Sequence, residues 1–170
     1  MPKGIEIERK YLIAMPDTAA LRKQPGCAVW EIEQIYLTAD EGTTRRIRSV
    51  SENGQIRLFR TFKRRIDALS AIEEEAEIGR DEFEALRKEA NDQCSPVHKV
   101  RYRVPYDGQL LEFDIYPFWN DRAVVEVELE GEDQQVRLPG WVHVFKDVTD
   151  DVRYRNFRLS KDIPMDDLSE

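Results

Sequence analysis

Apolar and charged side chains alternate along most of this 170-residue chain, with the two-residue period typical of β-strands. The alternation predicts about eight strands joined by short turns. Their approximate ranges are 4–13, 29–37, 43–50, 55–64, 70–78, 97–105, 109–116 and 123–130. Asn53-Gly54 and Asp107-Gly108 are strong hairpin signals, because Asn, Asp and Gly tolerate positive φ. Connections this short indicate mostly antiparallel pairing.

Two helices are predicted between the strands. Asp17 is a suitable N-cap for a short helix that ends near Lys23. Asp81 is a suitable N-cap for a second helix, whose apolar stripe consists of Phe83, Leu86 and Ala90. Residues 132–138 are expected to be helical or irregular, and the chain ends in a short acidic tail.

Eight strands can close into a barrel and so leave no unpaired edges. Each predicted strand has one apolar and one densely charged face, and two arrangements fit this pattern. In an open sheet, the apolar face would pack on helices and the charged face would meet water. In a closed barrel, the charges would line a tunnel and the apolar residues would lie outside, under the helices.

The types of charge favour the closed barrel. Basic side chains recur on the predicted inner face at Lys10, Arg46, Arg48, Lys63, Lys99 and Arg101. Carboxylates recur there at Glu6, Glu8, Glu75, Glu77, Asp114, Glu126 and Glu128. Like charges packed together need counter-ions, and a polyphosphate bound with a divalent cation would satisfy both sets. We therefore predict a mainly β (α+β) fold, an eight-stranded antiparallel closed barrel with a charged interior and a few flanking helices.

Composition narrows the classes of function. The formal net charge of −8 disfavours nucleic-acid binding, for which a domain would usually be basic. No run of about 18 apolar residues occurs, so no membrane span is expected. Met1-Pro2-Lys3-Gly4 leads directly into a charged strand, which predicts a cytoplasmic protein without a signal peptide. Cys27 and Cys94 are isolated in the sequence and are expected to be reduced thiols. A single domain spanning residues 1–170 is expected from the chain length.

The predicted outer face leaves one open question about assembly. Val125, Val127 and Leu129 form an apolar stripe that needs a cover. The Asp81 helix or another subunit could supply this cover, so a homodimer is one alternative. His98 precedes the inward-facing Lys99 and is expected to point away from the tunnel.

Glu6-x-Glu8-x-Lys10 resembles the ExExK signature of the CYTH superfamily, also called triphosphate tunnel metalloenzymes. Further motifs follow in the order expected for the family over nearly the whole chain. They are Gln34-Ile35-Tyr36-Leu37, Arg46-Ile47-Arg48, Thr61-Phe62-Lys63, Glu75-Ala76-Glu77, Lys99-Val100-Arg101-Tyr102, Phe113-Asp114, Glu126-Val127-Glu128, and Val148-Thr149-Asp150 with Tyr154-Arg155-Asn156. The likeness is greatest to the small single-domain bacterial members.

The resemblance implies a role for each charged position. It implies metal binding by Glu6, Glu8, Asp114, Glu126 and Glu128. It implies triphosphate binding by Lys10, Arg46, Arg48, Lys63, Lys99 and Arg101. Glu75 and Glu77 match acids that support the basic rows, and Lys161 lies near a basic position of some C-terminal segments. The long C-terminal plug helix of larger relatives is missing, because Pro164 interrupts the corresponding stretch.

The favoured hypothesis is hydrolysis of inorganic triphosphate to diphosphate and phosphate, with Mg²⁺ or Mn²⁺. The candidate catalytic residues are Lys10, Tyr36, Glu126 and Glu128. Glu126 or Glu128 could take the proton from water, and Tyr36 is a further candidate whose simpler role is packing in the tunnel wall. Adenylate cyclase and thiamine triphosphatase are alternatives on the same scaffold. A non-catalytic polyphosphate- or nucleotide-binding module, and a purely structural ion-pair lattice, are alternatives of other classes.

Overall fold

Eight strands close into an antiparallel barrel in the computed structural model, which describes residues 3–168. Their bounds are β1 Lys3–Ala14, β2 Ala28–Leu37, β3 Thr43–Glu52, β4 Gln55–Arg65, β5 Ser70–Ile78, β6 Val97–Tyr106, β7 Gln109–Ile115 and β8 Arg122–Glu128. The order around the barrel is β5-β4-β3-β2-β6-β7-β8-β1, and pairing of β1 with β5 completes the ring. The predicted closed barrel is therefore confirmed. The largest differences in strand bounds are two residues each: β3 continues to Glu52 instead of ending at residue 50, and β8 ends at Glu128 instead of residue 130.

The first strand closes the barrel by pairing with three others. Its residues 3–7 pair with β5, and its residues 8–14 pair with β8. Beyond β5, the same edge of β1 pairs with a ninth strand, β9 Val144–Asp147. The sequence pattern did not predict β9, because four residues are too few to show a clear alternation.

The helices are short and lie in the connections. Helix α1 spans Thr18–Arg22, and the Asp17 carboxylate accepts hydrogen bonds from the backbone of the first turn, as predicted. Helix α2 spans Arg80–Arg87, but its N-cap is Gly79, so the capping role predicted for Asp81 is wrong. Asp81 instead lies in the first turn, where the helix dipole favours a carboxylate. Residues 132–138 contain no helix.

Two apolar clusters cover the outside of the barrel. Helix α2 packs Phe83 against Ile47 and Leu58 of β3 and β4. The stripe formed by Val125, Val127 and Leu129 is covered within the chain by Leu21 of α1 and by apolar residues of the segment 136–142. The Asp81 helix, one of the two covers considered for this stripe, therefore packs elsewhere, on β3 and β4. Within residues 3–168, no helix is long and apolar enough to cross a membrane, and Cys27 and Cys94 are free thiols.

One end of the barrel is filled by apolar side chains rather than by charges. The strands contribute Leu12, Tyr36, Val97 and Val124, which are buried together with Tyr116 just after β7. The C-terminal residues 148–168, here called the C-terminal cap, close this end with Val148, Tyr154 and Leu159. The cap contains a 3₁₀ turn, Val152–Tyr154, and a short helix α3, Asn156–Leu159. A long plug helix is therefore not needed to close this end of the tunnel.

The tail carboxylate of Asp166 is one of the groups that hold the C-terminal cap in place. The Asp166 carboxylate accepts two hydrogen bonds from the Arg153 guanidinium, a bidentate pair with both N–O distances at 2.9 Å. It accepts a further hydrogen bond from the Tyr154 hydroxyl at 2.8 Å. Lys146 of β9 also binds this carboxylate. The backbone carbonyl of Pro164 accepts a hydrogen bond from the Trp119 indole at 3.2 Å. The cap is thus pinned to the barrel on both sides of Met165.

Candidate active site

Four carboxylates lie side by side on two neighbouring strands. Glu6 and Glu8 of β1 point into the tunnel next to Glu126 and Glu128 of β8, and we call these four residues the acidic wall. The strand register aligns Glu8 with Glu128, and Lys10 with Glu126. Because inward-facing positions on a strand recur every second residue, the spacing of the ExExK motif produces this wall directly.

Two members of the acidic wall have no basic partner among the described residues. Burial and the carboxylates of Glu126 and Glu6 raise the pKa of Glu8 to about 8. Burial and the carboxylates of Glu6 and Glu112 raise the pKa of Glu128 to about 7. In residues 3–168, no three acidic, His or Cys side chains already converge on one metal-binding point. Unpaired carboxylates that repel one another are nevertheless the oxygen donors that Mg²⁺ and Mn²⁺ bind, so the acidic wall fits such a cation.

The basic side chains of β3 and β4 form a second surface of the tunnel. We call Arg46, Arg48 and Lys63 the basic wall. Lys63 pairs with Glu6 at 2.8 Å and with Glu73 at 3.5 Å. Among the described residues, the ion pairing of Arg48 is limited to a long contact with Glu75, at 3.5 Å. Burial and the nearby Arg46 and Arg101 lower the pKa of Arg48 to about 10, so this guanidinium lacks sufficient negative charge around it.

The side chains of β6 and β7 form a closed ion-pair network. Asp114 is fully buried and accepts hydrogen bonds from Lys99 at 2.9 Å and from Arg101 at 2.8 and 2.9 Å. Although burial opposes its charge, Arg101 and Lys99 hold the pKa of Asp114 below its usual range. Arg101 also contacts Glu126 at 3.4 Å and Glu112 at 3.3 Å. All oxygens of Asp114 are therefore already engaged by cations of the protein.

Glu112 is a tunnel residue that sequence reasoning left out of the candidate site. It binds Arg103 at 3.0 Å as well as Arg101, and it aligns with Glu126 in the β7–β8 register. Its position two residues before Asp114 was a sufficient signal, because both residues share the inner face of β7.

Two neighbouring cavities make up the tunnel. A central cavity of about 190 Å³ lies between the acidic and basic walls. A second cavity of about 330 Å³, here called the basic mouth, opens beside the C-terminal cap. Both cavities are lined by Glu8, Arg46, Lys63 and Asn156, so they lie next to each other.

The C-terminal cap supplies basic groups that were not among the predicted triphosphate-binding residues, although Arg155 lies within the Tyr154-Arg155-Asn156 motif. Arg155 and Arg158 line the basic mouth together with Arg65 of β4. The ammonium of Lys161, the predicted basic residue of this segment, instead lies 4.9 Å from the centre of the Phe157 ring. Which cap residues reach the tunnel depends on how the cap packs, and no local pattern encodes that packing.

The cap also contacts two predicted lysines directly. Lys10 donates a hydrogen bond to the Tyr154 carbonyl at 3.1 Å and pairs with Glu126 at 3.3 Å. Lys99 reaches Asn156 at 3.4 Å, and the Tyr116 hydroxyl donates to the same Asn156 oxygen at 2.7 Å. The cap therefore orients groups inside the tunnel as well as closing it.

Three other predicted residues have different surroundings. Tyr36 is only 3% exposed and packs edge-on against Phe157, with ring centres 5.3 Å apart. Glu75 accepts a hydrogen bond from Thr61 at 3.0 Å and lies near Arg48. Glu77 lies at the exposed end of β5, where its partner is Arg57 at 2.8 Å rather than any predicted triphosphate-binding residue. Among the described residues, Glu77 therefore makes no ion pair with the predicted triphosphate-binding side chains through which it could hold them in position.

Comparison with known proteins agrees with this arrangement. The CYTH domain model matches residues 4–142. The chain is 33% identical over 165 residues to the inorganic triphosphatase of Nitrosomonas europaea, covering 94% of this chain and 99% of that protein.

Solved structures give the same result for the fold. The crystal structure of the inorganic triphosphatase NE1496 is 31% identical, with a TM-score of 0.57 over 94% of this chain and 97% of that one. A conserved hypothetical protein from Pyrococcus furiosus is 23% identical, with a TM-score of 0.58 over 75% of this chain and 80% of that one, and it supports the fold alone. The chain belongs to the CYTH domain family.

Proposed function

We propose that this protein hydrolyses inorganic triphosphate to diphosphate and phosphate with the help of Mg²⁺ or Mn²⁺. The observation that carries the proposal is the pairing of two incomplete surfaces in one enclosed tunnel. The acidic wall has two carboxylates without cations, and the basic wall has a guanidinium without sufficient anions. A polyphosphate bound with a divalent cation supplies both missing charges. The likeness to the inorganic triphosphatase of Nitrosomonas europaea supports this choice of substrate.

Glu8 would hold the metal with Glu6 beside it, and Glu128 of the same wall remains available for proton transfer. The metal would neutralise charge on the phosphate oxygens and activate water for attack. Asp114, which the family resemblance placed among the metal ligands, is better described as the counter-ion of Lys99 and Arg101.

The chain's own cations position the substrate and stabilise charge that develops on it. Lys63 and Arg48 face the central cavity, where they would hold phosphate oxygens and fix the triphosphate for attack by water. Lys10 stands beside Glu126, held by the cap through the Tyr154 carbonyl. It can therefore stabilise negative charge on a phosphate without moving.

Contacts distinguish the three candidates for the proton acceptor. Glu126 is engaged by Lys10 and Arg101, and Tyr36, whose ring packs in an apolar cluster, is hydrogen-bonded to Arg46 at the edge of the basic mouth. Glu128 has no ion-pair partner among the described residues and lines the central cavity. We assign Glu128 as the group that accepts the proton from water, either directly or through a second water molecule.

The test is to incubate the protein with inorganic triphosphate, ATP or thiamine triphosphate, each with Mg²⁺ or Mn²⁺. Phosphate, cyclic AMP and nucleotide are then measured. We expect metal-dependent phosphate release, fastest from inorganic triphosphate. Cyclic AMP formation would instead identify a cyclase, and tight binding without turnover would identify a binding module.

One observation favours an organic triphosphate as a second candidate. The basic mouth is lined by the apolar or aromatic side chains of Val152, Tyr36 and Phe157 as well as by basic groups. An organic group attached to the triphosphate would find apolar contacts there. Faster turnover of thiamine triphosphate than of inorganic triphosphate would favour this second candidate.

A further inference from the structure

The basic mouth carries a large excess of positive charge. Among the described residues that line it, the one carboxylate of Glu8 faces six basic side chains, which are Lys10, Arg46, Lys63, Arg65, Arg155 and Arg158. The whole chain has 34 Asp and Glu but 26 Lys and Arg side chains, so this excess runs against the overall composition. Like charges gathered on the wall of a cavity favour an anion inside it.

Two of these arginines have no ion-pair partner within residues 3–168. Arg65 is the last residue of β4, and Arg155 lies in the C-terminal cap between the 3₁₀ turn and α3. Both side chains are half-buried. On the same strand as Arg65, Arg60 pairs with Glu82 at 3.1 Å although half of its side chain is exposed. An unpaired guanidinium that has lost part of its water is unfavourable, so Arg65 and Arg155 both lack an anion.

The two guanidinium groups also act on each other. Both line a small neighbouring cavity together with Glu8 and Lys10, so the two arginines are close in space. Burial and the charge of Arg65 lower the pKa of Arg155, against the opposite effect of Glu8 and Asp150. The protein therefore does not fully compensate the repulsion between the two arginines, and an anion bound by both would relieve it.

The position of the basic mouth indicates which anion it receives. The mouth lies next to the central cavity, and Arg46 and Lys63 line both. An anion in the mouth would therefore lie beside a triphosphate bound in the central cavity, where phosphoryl groups are released. A guanidinium suits a phosphoryl group, because its planar set of N–H donors can bind two phosphate oxygens at once.

We propose that the basic mouth is a second phosphoryl site, in which Arg65 and Arg155 bind one phosphoryl group in addition to the triphosphate of the central cavity. This group is either a free phosphate ion or the fourth phosphate of a linear tetraphosphate, since both present the same oxygens. The inference deepens the proposed triphosphatase function and rests on it, because it requires the central cavity to hold the triphosphate.

The test compares two neighbouring arginines of β4. Arg65→Gln removes a charge from the basic mouth, whereas Arg64→Gln removes the same charge from the exposed outer face of the strand. The protein is saturated with triphosphate in EDTA, and inorganic phosphate is then titrated in a calorimeter. We expect phosphate to bind wild-type protein and Arg64→Gln with equal affinity. It should bind Arg65→Gln about 10-fold more weakly, because a charged hydrogen bond is lost.

A second titration with linear tetraphosphate identifies the source of the phosphoryl group. If the fourth phosphate occupies the mouth, tetraphosphate should bind wild-type protein in EDTA more tightly than triphosphate does, and Arg65→Gln should lose this preference. If the mouth takes the free ion, phosphate should bind the triphosphate-saturated protein. Either result supports a second phosphoryl site. Failure of both, or equal results for Arg65→Gln and wild-type protein, would overturn it.

Two controls separate this inference from its alternatives. The affinity for triphosphate should be the same in Arg65→Gln and wild-type protein, and an equal weakening of triphosphate and phosphate binding would overturn the inference by placing Arg65 in the triphosphate site itself. The Tm of ligand-free Arg65→Gln should not fall, because one of two repelling charges is removed. A lower Tm with unchanged phosphate binding would make Arg65 structural and overturn the inference. Absence of turnover in wild-type protein with metal would overturn the proposed function instead.

Discussion

Two charged regions of the same tunnel differ in how completely their charges are paired. On β6 and β7, Asp114 is enclosed by Lys99 and Arg101 at distances below 3 Å. On the acidic wall, Glu8 and Glu128 have no basic partner among the described residues, and on the basic wall Arg48 has one long contact. Saturated charges, which are fully paired within the protein, specify the fold. Unsaturated charges, which lack such partners, are available to a ligand.

The largest effect expected from this contrast is on turnover in Glu8→Gln. Removing an unpaired carboxylate of the acidic wall should weaken metal binding and lower metal-dependent turnover by at least about 100-fold. Metal titrations monitored by phosphate release would measure it. Wild-type turnover in this variant would contradict the assignment of Glu8 to the metal site.

The stability of metal-free Glu8→Gln should rise, although its turnover falls. Because the pKa of Glu8 is raised from 4.5 to about 8, its ionisation is disfavoured in the folded state. The metal-free protein should therefore lose stability from this group as the pH rises from 4.5 towards 8. Glu8→Gln should remove that loss, so its advantage in Tm over the wild-type protein should grow with pH.

Breaking the saturated network should mainly affect folding. Asp114→Asn leaves Lys99 and Arg101 without their buried counter-ion, which is expected to cost about 3–5 kcal/mol of unfolding free energy. Urea denaturation would measure this loss. Glu77→Gln is the matched control, since its pair with Arg57 is exposed to water and should contribute little to stability. Equal losses in the two variants would refute the distinction between saturated and exposed charges.

A smaller effect is expected from Arg48→Met, which keeps a long apolar side chain but removes the charge. Arg48 is insufficiently paired in the protein, so the variant should fold with nearly unchanged stability. Substrate capture should weaken, with an increase in KM of about 10-fold, because a charged hydrogen bond to phosphate is lost. Steady-state kinetics would show it, and an unchanged KM would remove Arg48 from the triphosphate site.

The smallest effect concerns the C-terminal cap. Asp166→Asn weakens the contacts to Arg153, Lys146 and Tyr154, and should lower Tm by about 2–4 °C, the equivalent of about 1 kcal/mol. Hydrogen bonds from Arg153 and Lys146 lower the pKa of Asp166, so its stabilisation is present above the usual pKa of 3.8 and is lost as the pH falls further. The difference in Tm between the two proteins should therefore shrink below about pH 4. The control is Asp162→Asn, an exposed residue of the same cap, and an equal change in both would refute the specific role of Asp166.

Most of the barrel was predictable because its strands carry strong two-residue alternation and clear hairpin turns. The inner positions of β1, β3, β6 and β8 followed from the same period, and they place Glu6, Arg48, Lys99 and Glu128 on the tunnel wall. Alternation assigns a residue to a face, but it does not determine the partners of that residue. The saturation of Asp114, and the exposure of Glu77 at the end of its strand, depend on depth along the tunnel.

The parts that sequence reasoning missed depend on contacts between distant segments. Strand β9 forms only because it meets β1 beside the end of β5, and it is too short to show a pattern of its own. Arg155 reaches the basic mouth because Asp166 and Trp119 hold the cap on the barrel. Gln34 lay within a recognised motif, but only the structure shows that its amide has no partner.

The split pairing of β1 has a consequence for biosynthesis. This strand is made before all the other strands, yet its partners include β8 and β9, which end at residues 128 and 147. The ring cannot close until β8 has emerged from the ribosome, and until then β1 retains unpaired backbone groups along the edge that later meets β8. Pairing across such long sequence separations slows folding, so the nascent protein is most vulnerable to aggregation before β8 has been made.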